Sequence, residues 1–207
     1  MLRFGALVAL TALAVLAAGT IAETSARTSA IRCDRTLHAL KTLSDPQSRF
    51  VNFRPRTTTI RGINSRRRPH PTPTERNNAF ERQVWRVKAQ IVKDRLDDHG
   101  DIQLVLFDRG SYMIAELPAP ACLPRATRAR QAIVRARRRF ERGCGVAARS
   151  WTNQGAVAYI SGVGFWDIPN RQIGHARNYA ELHPVTGVTF VSGCDGEARG
   201  GGGGGGG

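Results

Sequence analysis

The chain has 207 residues, of which 41% are hydrophobic, so it is long and apolar enough for one domain with tails. Lysine and arginine number 31 against 16 acidic residues, which gives a net charge of +15. This excess favours anionic partners such as nucleic acid, teichoic-type polymers or acidic membrane surfaces. A genome that encodes arginine wherever a surface cation is needed would give the same composition without any ligand.

The first 22 residues have the three-part pattern of a cleavable secretory signal peptide. Arg3 supplies the positive start, residues 4–18 are apolar and uncharged, and residues 20–22 (Thr-Ile-Ala) offer a cleavage site, with Ala26 and Ala30 as alternatives. A membrane anchor needs about 20 apolar residues, and no later run is long enough either. We therefore predict a secreted, extracytoplasmic protein whose mature chain has no transmembrane segment.

The chain contains four cysteines: Cys33, Cys122, Cys144 and Cys194. An even number in an exported chain predicts two disulfides, and without a C-x-x-C pair a zinc or thioredoxin-type site is not expected. Cys122 and Cys144 flank a predicted helix of about 15 residues and about 22 Å, whereas a disulfide needs Cα atoms within about 7 Å. Two connectivities remain open, and of these we favour Cys33–Cys122 with Cys144–Cys194.

Residues 23–79 are predicted to form an N-terminal extension. Leucines at helical spacing favour a short helix over residues 34–44. Residues 54–74 contain six arginines, four prolines and no acid, which predicts a basic, mobile loop. An arm that binds a polyanion is the alternative for this segment.

Residues 80–194 are predicted to form the main domain. Apolar and polar residues alternate over residues 85–91, as in a half-buried strand, and turn sequences separate the strands that follow. Five strands are predicted, over residues 85–91, 102–107, 112–117, 157–165 and 182–191. Gly162 and Gly164 allow a bend or bulge in the fourth strand, and a long polar loop is expected over residues 166–180.

A helix is predicted over residues 126–142, between strands three and four. Ala129, Ile133, Ala136 and Phe140 share one apolar face, arginines cover the rest, and Gly143 suits the C-cap. Three strands, one helix and two strands predict a mainly β (β+α) fold, a five-stranded OB-fold-like barrel. The glycine-rich tail, residues 195–207, is expected to be disordered.

The most distinctive motifs lie at residues 162–167 (Gly-Val-Gly-Phe-Trp-Asp) and 181–185 (Glu-Leu-His-Pro-Val). They resemble the closing motifs of a family of exported bacterial proteins of unassigned activity, which read GVGFFD, HGQ-x-G, A-P-N and ELHPV. Residues 100–106 and 113–122 also fit, so the resemblance covers residues 33–194. Members with two cysteines keep the equivalents of Cys33 and Cys122, so the resemblance implies that pairing too.

The sequence departs from this family at two places. Asn170-Arg171-Gln172 stands where the family has HGQ, so a role for a histidine at position 170 is lost. Arg177 replaces the proline before Asn178.

A second resemblance is to staphylococcal-nuclease-like domains, which have Gly-Asp at the start of strand two and an acid before a proline near the end of strand three. The matching acids are Asp101 and Glu116. The resemblance implies that both hold a calcium ion while arginines neutralise the scissile phosphate. The sequence departs from it at Ser111, where the arginine is expected, and at Ala119, where a second glutamate is expected, so no general base is assigned.

Glu181 and His183 are two residues apart on a predicted strand and therefore share one face. With Asp167 and His175 from the preceding loop, they form a candidate metal or acid/base site. The alternative is structural: Glu181 and His183 satisfy buried backbone groups, while Asp167 and Asn178 cap turns.

Seven arginines are candidate anion-binding residues: Arg66, Arg67, Arg68, Arg128, Arg135, Arg138 and Arg139. Four aromatic residues are candidates for stacking on nucleobases: Trp85, Phe107, Tyr112 and Trp166. Trp85 also lies on the apolar face of its predicted strand and therefore also suits the core.

Two functional hypotheses follow. The first is a non-enzymatic module, without a cofactor, that binds an anionic polymer such as nucleic acid or a cell-envelope polymer through these arginines. The alternative is a metal-dependent phosphodiesterase or nuclease-like hydrolase, with Ca²⁺ as the candidate ion. Its acids would be Asp101 and Glu116, or Asp167 and Glu181 with His183. The sequence predicts no oligomeric state.

Overall fold

The computed structural model describes residues 32–194. The predicted signal peptide (1–22) and the glycine-rich tail (195–207) lie outside the described residues. The strands are β1 Asn52–Thr57, β2 Gln83–Leu96, β3 Ile102–Asp108, β4 Ser111–Leu117, β5 Thr152–Trp166 and β6 Ala180–Ser192. The helices are α1 His38–Lys41, α2 Ile60–Asn64 and α3 Arg130–Cys144, with 3-10 helices at Pro46–Phe50 and Pro120–Cys122. Among these residues, no helix is long and apolar enough to cross a bilayer.

The six strands form one mixed sheet in the order β1-β2-β3-β4-β6-β5. Strand β2 also pairs with β5, so the sheet closes partly into a ring. The pairs β1–β2 and β4–β6 are parallel, and the other neighbours are antiparallel. All five predicted strands are present, and α3 lies between the third and the fourth of them in sequence, as predicted.

The prediction of five strands is wrong by one, because the sheet also includes β1. This strand lies in the segment predicted as a mobile loop, as does α2. In β1 nearly every residue is exposed, so it shows no alternation of apolar and polar residues. In α2, however, Ile60 and Ile63 are fully buried in the main core, and Thr59 caps the helix by accepting a hydrogen bond from the Gly62 N–H. The basic segment is therefore folded onto the sheet over this stretch.

The core lies on one face of the ring. Ile102, Leu104 and Leu106 of β3 alternate inward and pack with Met113 and Ala115 of β4. Helix α3 adds its apolar face to this core. The alternate residues of β3 and β4 point to the opposite face, which is also largely buried.

Helix α3 begins four residues later than predicted and ends two residues later, with Gly145 rather than Gly143 at its C-cap. Gly145 has φ 82°, a conformation that glycine adopts at little cost. Gly143 instead gives room to the ring of Phe190, against which a side chain would collide. In β5, the predicted irregularity is confirmed, because register shifts flank Gly162 and reach Gly164.

Two disulfides join the cysteines in the favoured pairs. Cys33–Cys122 links positions 89 residues apart and ties the N-terminal segment to the 3-10 helix after β4. Cys144–Cys194 links positions 50 residues apart and ties the end of α3 to the residues after β6. Disulfides of this kind form in oxidising compartments, so they are consistent with an extracytoplasmic protein.

Candidate metal centre

Strand register brings three of the predicted site residues together, Glu116, Glu181 and His183. In the antiparallel pair β3–β4, Gln103 lies opposite Glu116. In the parallel pair β4–β6, Ile114 lies opposite Glu181, so that Glu116 and His183, each two residues further on, are neighbours on the same face. This is the face opposite the core.

The polar atoms of these residues converge on the His183 imidazole. Nδ1 of His183 lies 3.2 Å from Oε2 of Glu116 and 3.8 Å from Oε2 of Glu181, and Nε2 lies 3.8 Å from Oδ2 of Asp101. One ligand atom each from Asp101, Glu116 and His183 lies within 4.8 Å of the others. The site therefore has two carboxylates and one imidazole that can share one ion.

Hydrogen bonds orient the two carboxyl groups. Oδ1 of Asp101 accepts the backbone N–H of Ala119 at 2.7 Å, and Oε1 of Glu116 accepts the side-chain amide of Gln103 at 2.9 Å. In both groups, the second oxygen is the one that faces His183. The carboxyls are thus held in place by one oxygen and available through the other.

The imidazole of His183 is fully buried, and neither ring nitrogen makes a hydrogen bond within residues 32–194. The ring of Phe165 packs edge-on against the imidazole, with the two ring centroids 5.5 Å apart, and limits its rotation. A buried polar group without a partner costs roughly 1–3 kcal/mol. The predicted structural role, in which His183 satisfies backbone groups, is therefore absent.

The carboxyl groups of the cluster are held far from their usual titration range. Burial raises the pKa of Asp101 to about 6. Burial, and then the charge of Asp101, raise the pKa of Glu116 to about 8. The pKa of Glu181 is raised well above its usual value by burial and by the charges of Asp167 and Glu116. Without a bound metal ion, Glu116 is therefore protonated at neutral pH.

Burial and the charge of Lys41 lower the pKa of His183 well below its usual value, so the imidazole is neutral. The 3.2 Å contact between His183 and Glu116 is consequently not an ion pair, because a neutral ring faces a protonated carboxyl. Neutral imidazole is the form that binds metal ions. The arrangement fits a metal ligand better than a buried salt bridge.

The charge of Lys41 acts on all four groups of this cluster. Nζ of Lys41 donates a hydrogen bond to Oδ2 of Asp34 at 2.6 Å, and it lies 5.9 Å from the Phe165 ring centroid. Burial alone would lower the pKa of Lys41, but the charges of Glu116, Asp34 and Asp167 raise it overall. Lys41 therefore keeps its positive charge at any physiological pH.

A buried arginine fixes the segment that carries Lys41. Arg76 is fully buried, and its guanidinium donates to the carbonyl oxygens of Leu40 and Glu81 at 2.7 Å each and to Asp45 at 3.3 Å. Because Leu40 precedes Lys41, this anchor sets where the ammonium group points.

The cluster opens into a polar cleft of about 270 Å³, with Asp101 and Glu116 among its lining residues. Three cations also line it: Lys41, Arg95 and Arg149. Arg95 is held by a hydrogen bond of 2.7 Å to Oε1 of Gln103 and lies 4.7 Å from the Trp151 ring centroid. The cleft thus connects a buried ligand set to solvent.

The structure separates the other predicted site residues from the cluster centre. Asp167 lines the cleft and accepts a hydrogen bond of 2.6 Å from Asn170. His175 lies elsewhere: it stacks on Tyr179 at 4.7 Å and lines a different cavity. Asn178 caps the turn before β6, as predicted, by accepting the N–H of Ala180.

The sequence did not indicate Lys41, Gln103 or Arg95 as site residues. Gln103 is two residues from Asp101 at the start of a predicted strand, so their shared face was a usable signal. Lys41 has no such signal, because it belongs to a distant segment that Arg76 and the Cys33–Cys122 disulfide place beside the sheet.

Several of the seven candidate arginines contact aromatic rings of the protein itself. The guanidinium of Arg66 lies 4.2 Å from the Trp85 ring centroid, and those of Arg128 and Arg139 lie 5.5 and 5.2 Å from Phe53 and Phe190. Arg68 donates to Thr72 and to the Asp167 carbonyl. Five of the seven are exposed, and Arg66 and Arg68 are half-buried: Arg67, Arg128, Arg135, Arg138 and Arg139 are the exposed ones. Anion binding by these seven residues stays a prediction.

The four candidate stacking aromatics divide into two pairs. Trp85 and Trp166 are buried, at 3% and 2% exposure, and pack against Phe80. Phe107 and Tyr112 form a surface pair with ring centroids 4.8 Å apart. Only the second pair is placed to meet a ligand.

No protein-family model matches the chain, and no curated protein matches it. Among solved structures, similarity is found to the "crystal structure of a putative aspartyl-tRNA synthetase from Leishmania major Friedlin", with a TM-score of 0.39 and 11% identity. The alignment covers 69% of this chain and 22% of that one. A likeness at this level supports no inference about fold or function.

Proposed function

We propose that this protein is a secreted, metal-dependent hydrolase of phosphodiester bonds, built on an OB-fold-like barrel. The observation that carries the proposal is the convergence of Asp101 and Glu116 on the buried, unpaired imidazole of His183 beneath an open cleft. Binding of an anionic polymer without catalysis would leave this arrangement unused.

The ligand chemistry favours a divalent transition ion over Ca²⁺. Ca²⁺ takes oxygen ligands, whereas one imidazole with two carboxylates suits Zn²⁺ or Mn²⁺. Ligands about 2.0–2.2 Å from a zinc ion lie about 3.3 Å apart in a tetrahedron, and the distance of 3.2 Å between Nδ1 of His183 and Oε2 of Glu116 is close to this.

The lining of the cleft explains why a metal ion must bind before the substrate. Six carboxyl groups line it against the three cations. The net negative charge of this lining repels an anionic substrate. A metal ion bound by Asp101 and Glu116 would offset that charge. Substrate binding is therefore expected to depend on the ion.

The chain's own cations suit a phosphodiester. Lys41 stays protonated and stabilises negative charge on a phosphate beside the cluster. Arg95, fixed by Gln103, and the exposed Arg149 offer planar guanidinium groups to phosphate oxygens at the mouth of the cleft. A bound metal ion supplies Lewis acidity and lowers the pKa of water.

Hydrolysis forms a bond between a water oxygen and phosphorus and breaks the bond to one ester oxygen. One proton leaves the water, and one reaches the departing oxygen. Asp167 lines the cleft and has a raised pKa because of burial, so it is placed to transfer one of these protons. Lys41 is not the donor, because its pKa is too high.

Features outside the cluster support the barrel fold and the secretion that the proposal includes. The ring β2-β3-β4-β6-β5 has the strand number and the helix position of an OB-fold barrel, with β1 added at one edge. The signal-peptide pattern and the two disulfides support secretion. The family resemblance places Glu181 and His183 in its last motif and Asp101 in an earlier one.

The test is hydrolysis of bis(p-nitrophenyl) phosphate and of single- and double-stranded DNA. The protein is freed of metal with EDTA and then supplied with Zn²⁺, Mn²⁺ or Ca²⁺. We expect activity with Zn²⁺ or Mn²⁺, at least a 100-fold loss in Glu116→Gln and His183→Ala, and little change in Glu81→Gln. Glu81 is the matched control, because it is a buried acid that the cluster does not include. Activity that survives both EDTA and His183→Ala would refute the proposal.

A further inference from the structure

A second candidate site lies at the tip of the β3–β4 hairpin, away from the cluster. Two cavities meet at this turn, with volumes of about 520 and 560 Å³. Arg109 lines one of them, and its neighbours Gly110 and Ser111 line the other. We propose that these cavities form one groove, the hairpin groove, which binds single-stranded nucleic acid.

The charges of the groove suit a phosphate backbone. Arg61, His175 and Arg177 converge on the first cavity, and no acid lies among its lining residues. The second cavity contains Lys88 and Arg109. Its one acid, Asp108, lies 4.0 Å from the Arg109 guanidinium. The groove therefore differs from the cleft, where carboxyls dominate.

The groove is held in shape by contacts between α2 and the hairpin. The Asn64 amide donates to the Tyr112 carbonyl at 3.3 Å, and an Arg61 guanidinium nitrogen lies 3.5 Å from the Arg109 carbonyl. Ile60 and Ile63 anchor α2 in the core on its other side. The segment predicted as a loose basic arm is thus a fixed wall of the groove.

Aromatic rings line the same groove. Tyr112 is 44% exposed and packs against Phe107, and the two rings line different cavities. Tyr159 lies further along, with the Arg86 guanidinium 4.3 Å from its ring centroid. Alternation of cations with accessible rings is the pattern by which proteins bind unpaired bases and their backbone together.

The aromatic rings of the groove also distinguish single-stranded nucleic acid from other polyanions. A polyphosphate or a duplex offers no open base face, so the arginines alone would bind it and Tyr112 would contribute nothing. A single strand can stack a base on Tyr112 while its phosphates meet Arg61 and Arg177. This makes Tyr112 the residue that distinguishes the proposed ligand.

The hairpin groove is independent of the metal centre. Asp101 precedes β3 and Arg109 follows it, so the seven residues of the strand separate them by about 25 Å. The proposal goes beyond the hydrolase function and does not need it. Binding can be measured in EDTA, where the metal centre has no ion.

The experiment measures binding of a fluorescein-labelled (dT)12 to the intact protein by anisotropy, in EDTA and at several NaCl concentrations from 50 mM. We expect roughly tenfold weaker binding in Tyr112→Ala with an unchanged salt dependence. Arg61→Gln and Arg177→Gln should each weaken binding roughly fivefold and reduce the salt slope by about 1. Tyr112→Phe should bind like the wild type.

Arg125→Gln removes the same charge from an exposed position before α3 and serves as the control, with binding expected within twofold of the wild type. Glu116→Gln should also bind normally, which separates this test from that of the hydrolase. The proposal is overturned by no binding at 50 mM NaCl, by an equal loss in Arg125→Gln, or by wild-type binding in Tyr112→Ala. Equal affinity for a 12-base-pair duplex would overturn it as well.

Discussion

Glu116 of β4 and His183 of β6 are 67 positions apart in the chain, yet their side chains approach to 3.2 Å because the two strands run parallel. Neither group is charged at neutral pH when no cation is present. A divalent ion between them would displace the carboxyl proton and turn this uncharged contact into a pair of ligands. The predictions below start from this relationship.

Metal binding should stabilise the fold through His183. At a free ion concentration 100 times the Kd, binding adds about 2.7 kcal/mol to the free energy of unfolding. For a domain of this size, this corresponds to a rise in Tm of roughly 5–10 °C. Differential scanning fluorimetry with Zn²⁺ and Mn²⁺ measures the shift. We expect none in His183→Ala, and an equal shift in that variant would place the ion elsewhere.

The two disulfides should differ in their effect on activity. Replacing Cys144 and Cys194 by serine should cost about 2–4 kcal/mol of stability and leave the metal affinity unchanged. Replacing Cys33 and Cys122 should cost a similar amount and also lower hydrolysis severalfold, because Asp34 and Lys41 follow Cys33 in the chain. Urea unfolding and hydrolysis assays on both variants test this. Equal effects on hydrolysis would contradict it.

Glu81 should make stability depend on pH. Burial raises its pKa to about 7, although Arg76 and Asn78 oppose the shift. Between about pH 4.5 and 7, the folded protein keeps this proton while the unfolded chain loses it, so stability falls as the pH rises through this range. Above pH 7, the cost is fully present.

Glu81→Gln removes this cost. Relative to the wild type, the variant should therefore gain stability from pH 5 to pH 8, by roughly 3 kcal/mol at most. Urea unfolding at pH 5 and pH 8 gives the difference. A difference that is the same at both pH values would show that Glu81 does not titrate in this range.

Gly162 should tolerate no side chain. A Cβ at this position would lie 2.8 Å from the Cβ of Leu182 and 3.0 Å from the carbonyl oxygen of Pro184, on the strand that carries His183. Gly162→Ala should therefore cost about 1–3 kcal/mol. Gly187→Ala is the control, because a Cβ there lies 3.5 Å from Ser161, an ordinary contact. Chemical denaturation of both variants should show a much smaller loss in the control.

The first strand of the ring could be predicted because residues 85–91 alternate in polarity, and the next two because they are short, mostly apolar runs between turn sequences. β1 could not, because it is an exposed edge strand that contains Pro55. α2 was missed because only Ile60 and Ile63 mark its buried side among arginines and threonines. In both elements, tertiary contacts outweigh the local sequence signal.

The sequence indicated most acids of the candidate site but divided them into two sets. Asp101 and Glu116 formed one set, and Asp167, Glu181 and His183 formed the other. The parallel pairing of β4 with β6 unites Glu181 and His183 with the first set. Such pairing joins distant segments and leaves no local pattern, which is also why Lys41 was not foreseen.

The short parallel pairing of β4 with β6 affects the order of events during folding. Only two residue pairs are in register there, Ile114 with Glu181 and Ala115 with Leu182. Contacts between segments so far apart in the chain are expected to form late, because the intervening chain must be ordered first. The ligand set would then exist only in the completed ring. An incompletely folded chain could not take up the ion, so metal loading would report that folding has finished.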